Sequence, residues 1–339
     1  MASDKICVVV TTIFPPSKGL QVLADGVIKH GWDFVIVGDK PTPKDFKLNG
    51  ADYFSIEGQH AIDLRLPRLC PERHYSRKNI GYLIAMMRQV DIIVETDDDN
   101  IPTDLFWERR TRQFNCNMVD NRGWTNMYRF YSPSKIWPRG YPLEYLAEDS
   151  RQLPVMRTNC LSPIQQGLAD ANPDVDAVFR LLFELPVNFE RKGPHALRSG
   201  AWCPFNSQNT TWFEEAFPLL FLPSYCTFRM TDIWRSLVAQ RIMWECDWNL
   251  MFDDASVYQE RNEHNLIKDF EQEVPGYLNN EKIRSLLESL PLKQGVQHLG
   301  DNLLACYQAL VSNNYITSDK ELLLLEAFLD DIKTIKAKA

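Results

Sequence analysis

The sequence predicts an α/β domain built on a mixed, mainly parallel sheet flanked by helices. Three observations predict it. β-branched apolar runs alternate with helical patterns in the N-terminal third. Polar residues suited to ligand binding follow the carboxyl ends of those runs. One run ends in three consecutive aspartates, Asp97-Asp98-Asp99. Strands alternating with helices imply a parallel sheet, and such sheets bind ligands at the carboxyl ends of their strands.

The elements follow in order. Lys5–Val10 reads as a strand running into Thr11 and Thr12, and Leu20–His30 as a helix. Trp32–Val37 is a second strand ending at Gly38-Asp39, and Ala51–Ser55 a third. From Ser76, a good N-cap, Ile80, Leu83, Ile84 and Met87 trace the i, i+3, i+4, i+7 stripe of a buried helix face. Arg77 and Lys78 fall in its first turn, where the helix dipole disfavours cations. A bound phosphate would offset that cost; two solvated surface charges are the plainer reading. Ile92-Ile93-Val94 is the strand that delivers the triplet.

Three adjacent carboxylates repel one another unless a cation sits among them. Hard divalent ions such as Mn²⁺ or Mg²⁺ take carboxylate and phosphate oxygens, so Asp97 and Asp99 are the candidate metal ligands. A polar turn closing the strand would use the same residue types. Asp174-Val175-Asp176 is a second Asp-x-Asp, ranked lower because a turn signal, Asn172-Pro173, precedes it. A helix is expected from Phe228 to about Trp244, with Thr231 or Asp232 as its cap. From Glu271 onward the chain reads as helical, with Ser318-Asp319-Lys320-Glu321 as a capping box before Leu322–Ile335.

Bulk properties describe a globular protein. The chain has 339 residues and a net charge of -8. That length suffices for one large core or two domains, and that charge argues against nucleic-acid binding. Eight cysteines without Cys-x-x-Cys spacing fit reduced, buried thiols better than a disulfide framework or a zinc site. No apolar run is long enough to cross a bilayer and no secretory signal is visible, so the expected location is the cytoplasm.

Several motifs, in order, resemble the STELLO-type glycosyltransferases: Val8–Thr12, Gly31-Trp32, Thr42–Asp45, Arg77–Leu83, Trp137–Leu143, Gln165–Leu168, Asn172–Asp176, Pro204–Thr210 and Thr231–Arg235. The triplet is also similar to that of the reversibly glycosylated polypeptides, the UDP-arabinopyranose mutases. The resemblance spans roughly residues 5 to 270. It implies a GT-A fold, a nucleotide-sugar donor and an Asp-x-Asp motif carrying a divalent metal.

On that basis Thr11, Thr12 and Asp39 are expected at the base or ribose. Asp98 is expected at the ribose or donor sugar, or at the metal. Arg77 and Lys78 are expected at the diphosphate, and Arg139, Asn206 and Asp232 at the donor sugar and acceptor, with Asp232 as the base for the acceptor hydroxyl. A late histidine often completes a GT-A metal site, which singles out His264.

The implied reaction moves a sugar, from a UDP-sugar by preference, to a hydroxyl of a glycan or other acceptor. A mutase or self-glycosylating protein, a nucleotidyltransferase and a non-catalytic scaffold are the alternatives. Leu146 stands where the mutases carry the arginine that receives the sugar. The STELLO proteins' Golgi membrane anchor has no counterpart in this sequence. The expected layout is a GT-A domain over 1–270, with a nucleotide-binding half over 1–105 and an acceptor half over 106–270. A helical extension over 271–339 would pack on that domain or serve assembly, for instance as a homo-oligomer.

Overall fold

Ile6, Val8 and Val10 alternate with Cys7 and Val9 along the first strand, and both sets are buried. A strand buried on both faces belongs inside a sheet covered by helices on each side. The computed structural model describes residues 4–147, 155–260 and 265–338, and its first half has that form. Strands β1 (Ile6–Thr12), β2 (Asp33–Gly38), β3 (Asp52–Phe54) and β4 (Ile92–Thr96) pair in parallel in the order β3-β2-β1-β4. Helix α1 (Lys18–His30) covers one face; its Leu20, Leu23 and Val27 pack with Val8, Val10 and Ile36. Short helices α2 (Ile56–His60) and α3 (Leu66–Leu69) precede α4 (Lys78–Met87), which covers the other face through Ile80, Leu83 and Ile84 against Val9 and Val35.

The rest of the sheet is mixed. Beyond β4 come β12 (Asn209–Phe213), β9 (Ile164–Asp170), β13 (Leu250–Gln259), β10 (His195–Leu197), β6 (Gln113–Val119) and β8 (Val155–Leu161), while β5 (Asn100–Pro102) pairs with β13. A separate ribbon joins β7 (Gly123–Trp124) to β11 (Ala201–Trp202). Between them, α5 covers Ala177–Leu182 and α6 covers Thr231–Trp244.

The C-terminal helices are α7 (Leu266–Ser289), α8 (Leu299–Ser312) and α9 (Lys320–Lys338). Their Ile283, Leu303 and Phe328 join the same core cluster as Val9 and Ile80. The tail thus shares the core of the sheet domain, and α7 runs unbroken across residue 270. Among the described residues no helix is long and apolar enough to cross a membrane.

Four local expectations change. Ser76 does not cap α4: a 3-10 turn, Tyr75–Arg77, leads into the helix, His74 caps that turn, and the Ser76 hydroxyl meets Ser224. Neither Thr231 nor Asp232 caps α6, whose N-cap position is Met230 with no side-chain bond. Glu321 does not complete a capping box; it reaches across to accept from the backbone N–H groups of Ser224 and Tyr225. The thiols are not all reduced, since Cys116 and Cys160 are joined as a disulfide. Antiparallel β6 and β8 place them as diagonal neighbours on one face, a proximity that their 44-residue separation in sequence conceals. The other six cysteines are free.

Candidate active site

A cleft of about 520 Å³ opens at the carboxyl ends of β1, β2 and β4. Thr11, Thr12, Asp39, the three aspartates, Asp174 and Asp232 line it. The aspartates are presented on a tight turn clamped from behind by α1. Ser17 caps α1 and donates its hydroxyl to the Asp98 carbonyl. The helix begins so close to the turn that a Cβ on Gly19 would lie 2.6 Å from the Asn100 carbonyl oxygen. Gly19 is thus a packing residue.

Each aspartate gives one oxygen to a protein donor. Asp97 accepts from the Tyr75 hydroxyl at 3.1 Å and Lys78 Nζ at 3.4 Å, Asp98 from the Thr12 hydroxyl, and Asp99 from Gln259 Nε2 at 2.9 Å. The second oxygen of Asp97 and that of Asp99 have no partner among the described residues. Burial pushes the Asp97 carboxyl up to about 7; Lys78 opposes the rise while Asp99 and Asp98 add to it. The side chain still exposes 30 % of its surface, so water in the cleft moderates that shift. Burial likewise lifts Asp98 to about 6, against the Thr12 hydrogen bond.

This donor set fits a hard divalent cation: carboxylate oxygens with open lone pairs, destabilised by desolvation and mutual repulsion. Among the described residues no three His, Cys, Asp or Glu side chains already converge on a metal position. A cation here would take one or two carboxylates and complete its shell from ligand and water. The expected ligand His264 lies outside the described residues; β13 ends at Gln259, beside Asp99.

The two cations expected at the phosphates are placed otherwise. Lys78 is fully buried and donates to the Tyr75 hydroxyl, the Thr96 carbonyl and the Ser207 carbonyl as well as to Asp97. It is a fixed counter-charge beneath the triplet. Arg77 borders the cleft, but its guanidinium is held by Gln59 Oε1 and the Cys70 carbonyl. The 3-10 lead-in turns both charged ends inward, so neither is open to a phosphate. Arginines that sequence reasoning missed do border the cleft: Arg73, Arg180 and Arg229. Arg73 sits at φ 55° on a segment that Asp39 anchors by accepting from the Arg73 and His74 backbone N–H groups; no sequence pattern marks it.

On the far wall, Arg139 lies between two carboxylates. Its Nε and Nη2 donate to Asp174 at 2.8 Å each, and its Nη1 and Nη2 to Asp232 at 3.0 and 2.9 Å. Nη1 also donates to the Arg229 carbonyl. All five N–H groups of a guanidinium are thereby engaged, so the expected contact of Arg139 with a donor sugar has no free donor to make it. Asp232 also accepts from the Ser207 backbone N–H and hydroxyl. Burial would raise its carboxyl, but the Arg139 charge and hydrogen bonds prevail and hold it at about 2.

Asn206 does not line the cleft; its backbone N–H donates to Gln166 and its side chain braces Gln208. The second Asp-x-Asp divides. Asp174 joins the Arg139 cluster, whereas Asp176 caps α5 and accepts from the Trp137 indole. Leu146 ends a 3-10 turn, Leu143–Tyr145, and packs against the core.

The structure is an α/β fold: a mixed sheet flanked by helices, with an acidic turn at a parallel strand end. Residues 229–338 match the family model described as STELLO glycosyltransferases. The chain is 30% identical over 266 residues to probable glycosyltransferase STELLO2 of Arabidopsis thaliana, covering 70% of this chain and 33% of the relative. It is 29% identical over 270 residues to probable glycosyltransferase STELLO1 of the same plant, covering 72% of this chain and 34% of the relative. The chain thus spans about a third of the length of these curated relatives. Among solved structures, M. tuberculosis glucosyl-3-phosphoglycerate synthase aligns with a TM-score of 0.40 and 11% identity, over 82% of this chain and 80% of that one.

Proposed function

We propose that the protein is a metal-dependent glycosyltransferase that moves a sugar from a nucleotide-diphosphate donor, a UDP-sugar, to a hydroxyl of a glycan. The observation that carries this reading is one of convergence. Thr11, Asp39 and the aspartate triplet reach one cleft from three parallel strands, with the Asp174–Arg139–Asp232 cluster across from them. The names of the relatives support the same reaction class.

Thr11 and the Asp39-anchored segment form the wall suited to the base and ribose. A diphosphate in this cleft meets several carboxylates, so its binding calls for added positive charge. Mn²⁺ or Mg²⁺ on Asp97 and Asp99, with Asp98 in support, would supply that charge and stabilise the leaving diphosphate. Lys78 fixes Asp97 from below, and Arg73 adds positive charge at the rim. The Arg139 charge and hydrogen bonds favour the ionised form of Asp232. A carboxylate held this low is a weak base for a free hydroxyl, but the acidity of that hydroxyl rises steeply as its bond to the sugar forms. Asp232 then orients the hydroxyl and takes its proton late.

The test is incubation with a panel of UDP- and GDP-sugars, with and without Mn²⁺, following nucleoside diphosphate release. Metal-dependent turnover of at least one donor is expected. No turnover across the panel would overturn the proposal.

A further inference from the structure

Asp97 and Asp232 face the cleft from different elements, the turn after β4 and the first turn of α6, yet two hydroxyls join them. The Tyr75 hydroxyl lies 3.1 Å from Asp97 Oδ1 and 2.5 Å from Ser207 Oγ, and Ser207 Oγ lies 3.2 Å from Asp232 Oδ2. We infer that Tyr75 and Ser207 are positioning residues. They form a two-position chain that offers one hydrogen bond to either Asp97 or Asp232, and a cation on Asp97 turns it toward Asp232. This inference rests on the metal-dependent reading of the cleft.

The count of hydrogens carries it. A tyrosine and a serine hydroxyl each hold one hydrogen. Two hydroxyl oxygens 2.5 Å apart repel unless a hydrogen lies between them. Lys78 Nζ donates to the Tyr75 oxygen at 2.8 Å, so that oxygen is an acceptor in either arrangement and its own hydrogen has two acceptors to choose from. When Tyr75 donates to Ser207, Ser207 donates to Asp232. When Ser207 donates to Tyr75, Tyr75 donates to Asp97. The two hydroxyls therefore turn together, and one carboxylate gains the bond that the other loses. Ser207 exposes 1% of its surface and Asp232 5%, so water has little access to that end of the chain.

Charge sets the direction. Asp97 Oδ2 has no partner among the described residues, so a cation there leaves Oδ1 in its contacts with Tyr75 and Lys78. Charge drawn toward the cation makes Asp97 the weaker acceptor, while Asp232 keeps its full charge, so the chain turns to Asp232. Asp232 Oδ2 is then held by the Ser207 backbone N–H, the Ser207 hydroxyl and Arg139 Nη2, and Oδ1 by Arg139 Nη1 alone. Oδ1 keeps a lone pair for an acceptor hydroxyl, on a carboxylate already fixed when that hydroxyl arrives. The coupling is reciprocal, so removing the Ser207 hydroxyl registers in the cation affinity at Asp97.

The experiment titrates Mn²⁺ into the full chain with UDP present, by calorimetry. It compares the wild type, Ser207→Ala, Tyr75→Phe and the double variant, each first shown to be folded by circular dichroism. Ser207→Ala leaves the Tyr75 hydrogen on Asp97, so Mn²⁺ binds against that bond. Its affinity should fall about threefold, the low end of coupling between hydrogen-bonded neighbours. In the Tyr75→Phe background no hydrogen reaches Asp97 from the chain, and Ser207→Ala should change nothing. A purely structural role for Ser207 would instead weaken binding equally in both backgrounds. That result, or no fall in the wild-type background, overturns the inference. If Ser207→Ala fails to fold, Ser207→Cys carries the same comparison, since a thiol is a weak donor. A wild type that binds no Mn²⁺ overturns the inference together with the metal-dependent reading, whereas equal losses leave that reading standing, so the two failures are distinguishable.

Discussion

Glu95 stands two residues before the aspartate triplet on β4 and has no exposed surface. Its carboxylate accepts from Arg235 Nη1 at 3.0 Å and Nη2 at 2.8 Å, from the Trp212 indole at 2.8 Å, and from the Tyr82 hydroxyl. Arg235 lies on α6 one turn after Asp232, with its guanidinium 4.9 Å from the Trp212 ring centre. This buried pair ties the strand that presents the triplet to the helix that presents Asp232. Glu95→Gln keeps the shape and one acceptor but turns an amide N–H₂ toward the guanidinium and leaves a buried charge uncompensated. Breaking such a pair from one side costs about 3–5 kcal/mol, a large share of a total stability of roughly 5–15 kcal/mol. Urea denaturation of the purified variant should show that loss. Adding Arg235→Met removes the stranded charge and should restore part of it. A loss under about 1 kcal/mol, the value of a single neutral hydrogen bond, would refute the reasoning. So would a double variant no more stable than Glu95→Gln.

Two further outcomes follow from other groups. Asp232→Asn should leave donor hydrolysis near normal while transfer to acceptor falls by about two to four orders of magnitude; near wild-type transfer would make Asp232 an ion-pair partner of Arg139 and nothing more. Burial raises Glu321 from 4.5 to about 7 and Asp176 from 3.8 to about 7. Each group therefore binds its proton more tightly folded than unfolded. Its stabilising contribution is full below the unfolded value and is lost as pH rises through about 7. Glu321→Gln should flatten the decline in stability measured between pH 5 and 8, and an unchanged slope would contradict the assignment.

The nucleotide-side half of the fold was legible because its elements are local and strongly patterned. β1, β2 and β4 are continuous apolar runs and α1 carries a helical apolar stripe, and their observed bounds differ from the expected ones by one or two residues at most ends. Residues 107–213 were not legible in the same way. Their strands are short, and pairings such as β10 between β13 and β6 depend on distant segments. The site divides similarly. The triplet, Thr11 and Asp39 were visible because they end apolar runs. Arg139, Asp174 and Asp232 were each singled out in the sequence, yet their mutual pairing joins segments 35 and 93 residues apart, and nothing local announces it. Lys78 was misread because a first-turn cation on an α-helix faces outward by default. The 3-10 lead-in rotates it beneath Asp97.

The central claim is that the cleft binds a nucleoside diphosphate through a cation held by the triplet. Calorimetric titration of UDP into the protein, with Mn²⁺ and then with EDTA, tests it most directly, using Asp97→Ala and Asp99→Ala as controls. Binding that requires Mn²⁺ and is lost in both folded variants is the predicted result. UDP affinity that neither EDTA nor either substitution alters would contradict the account.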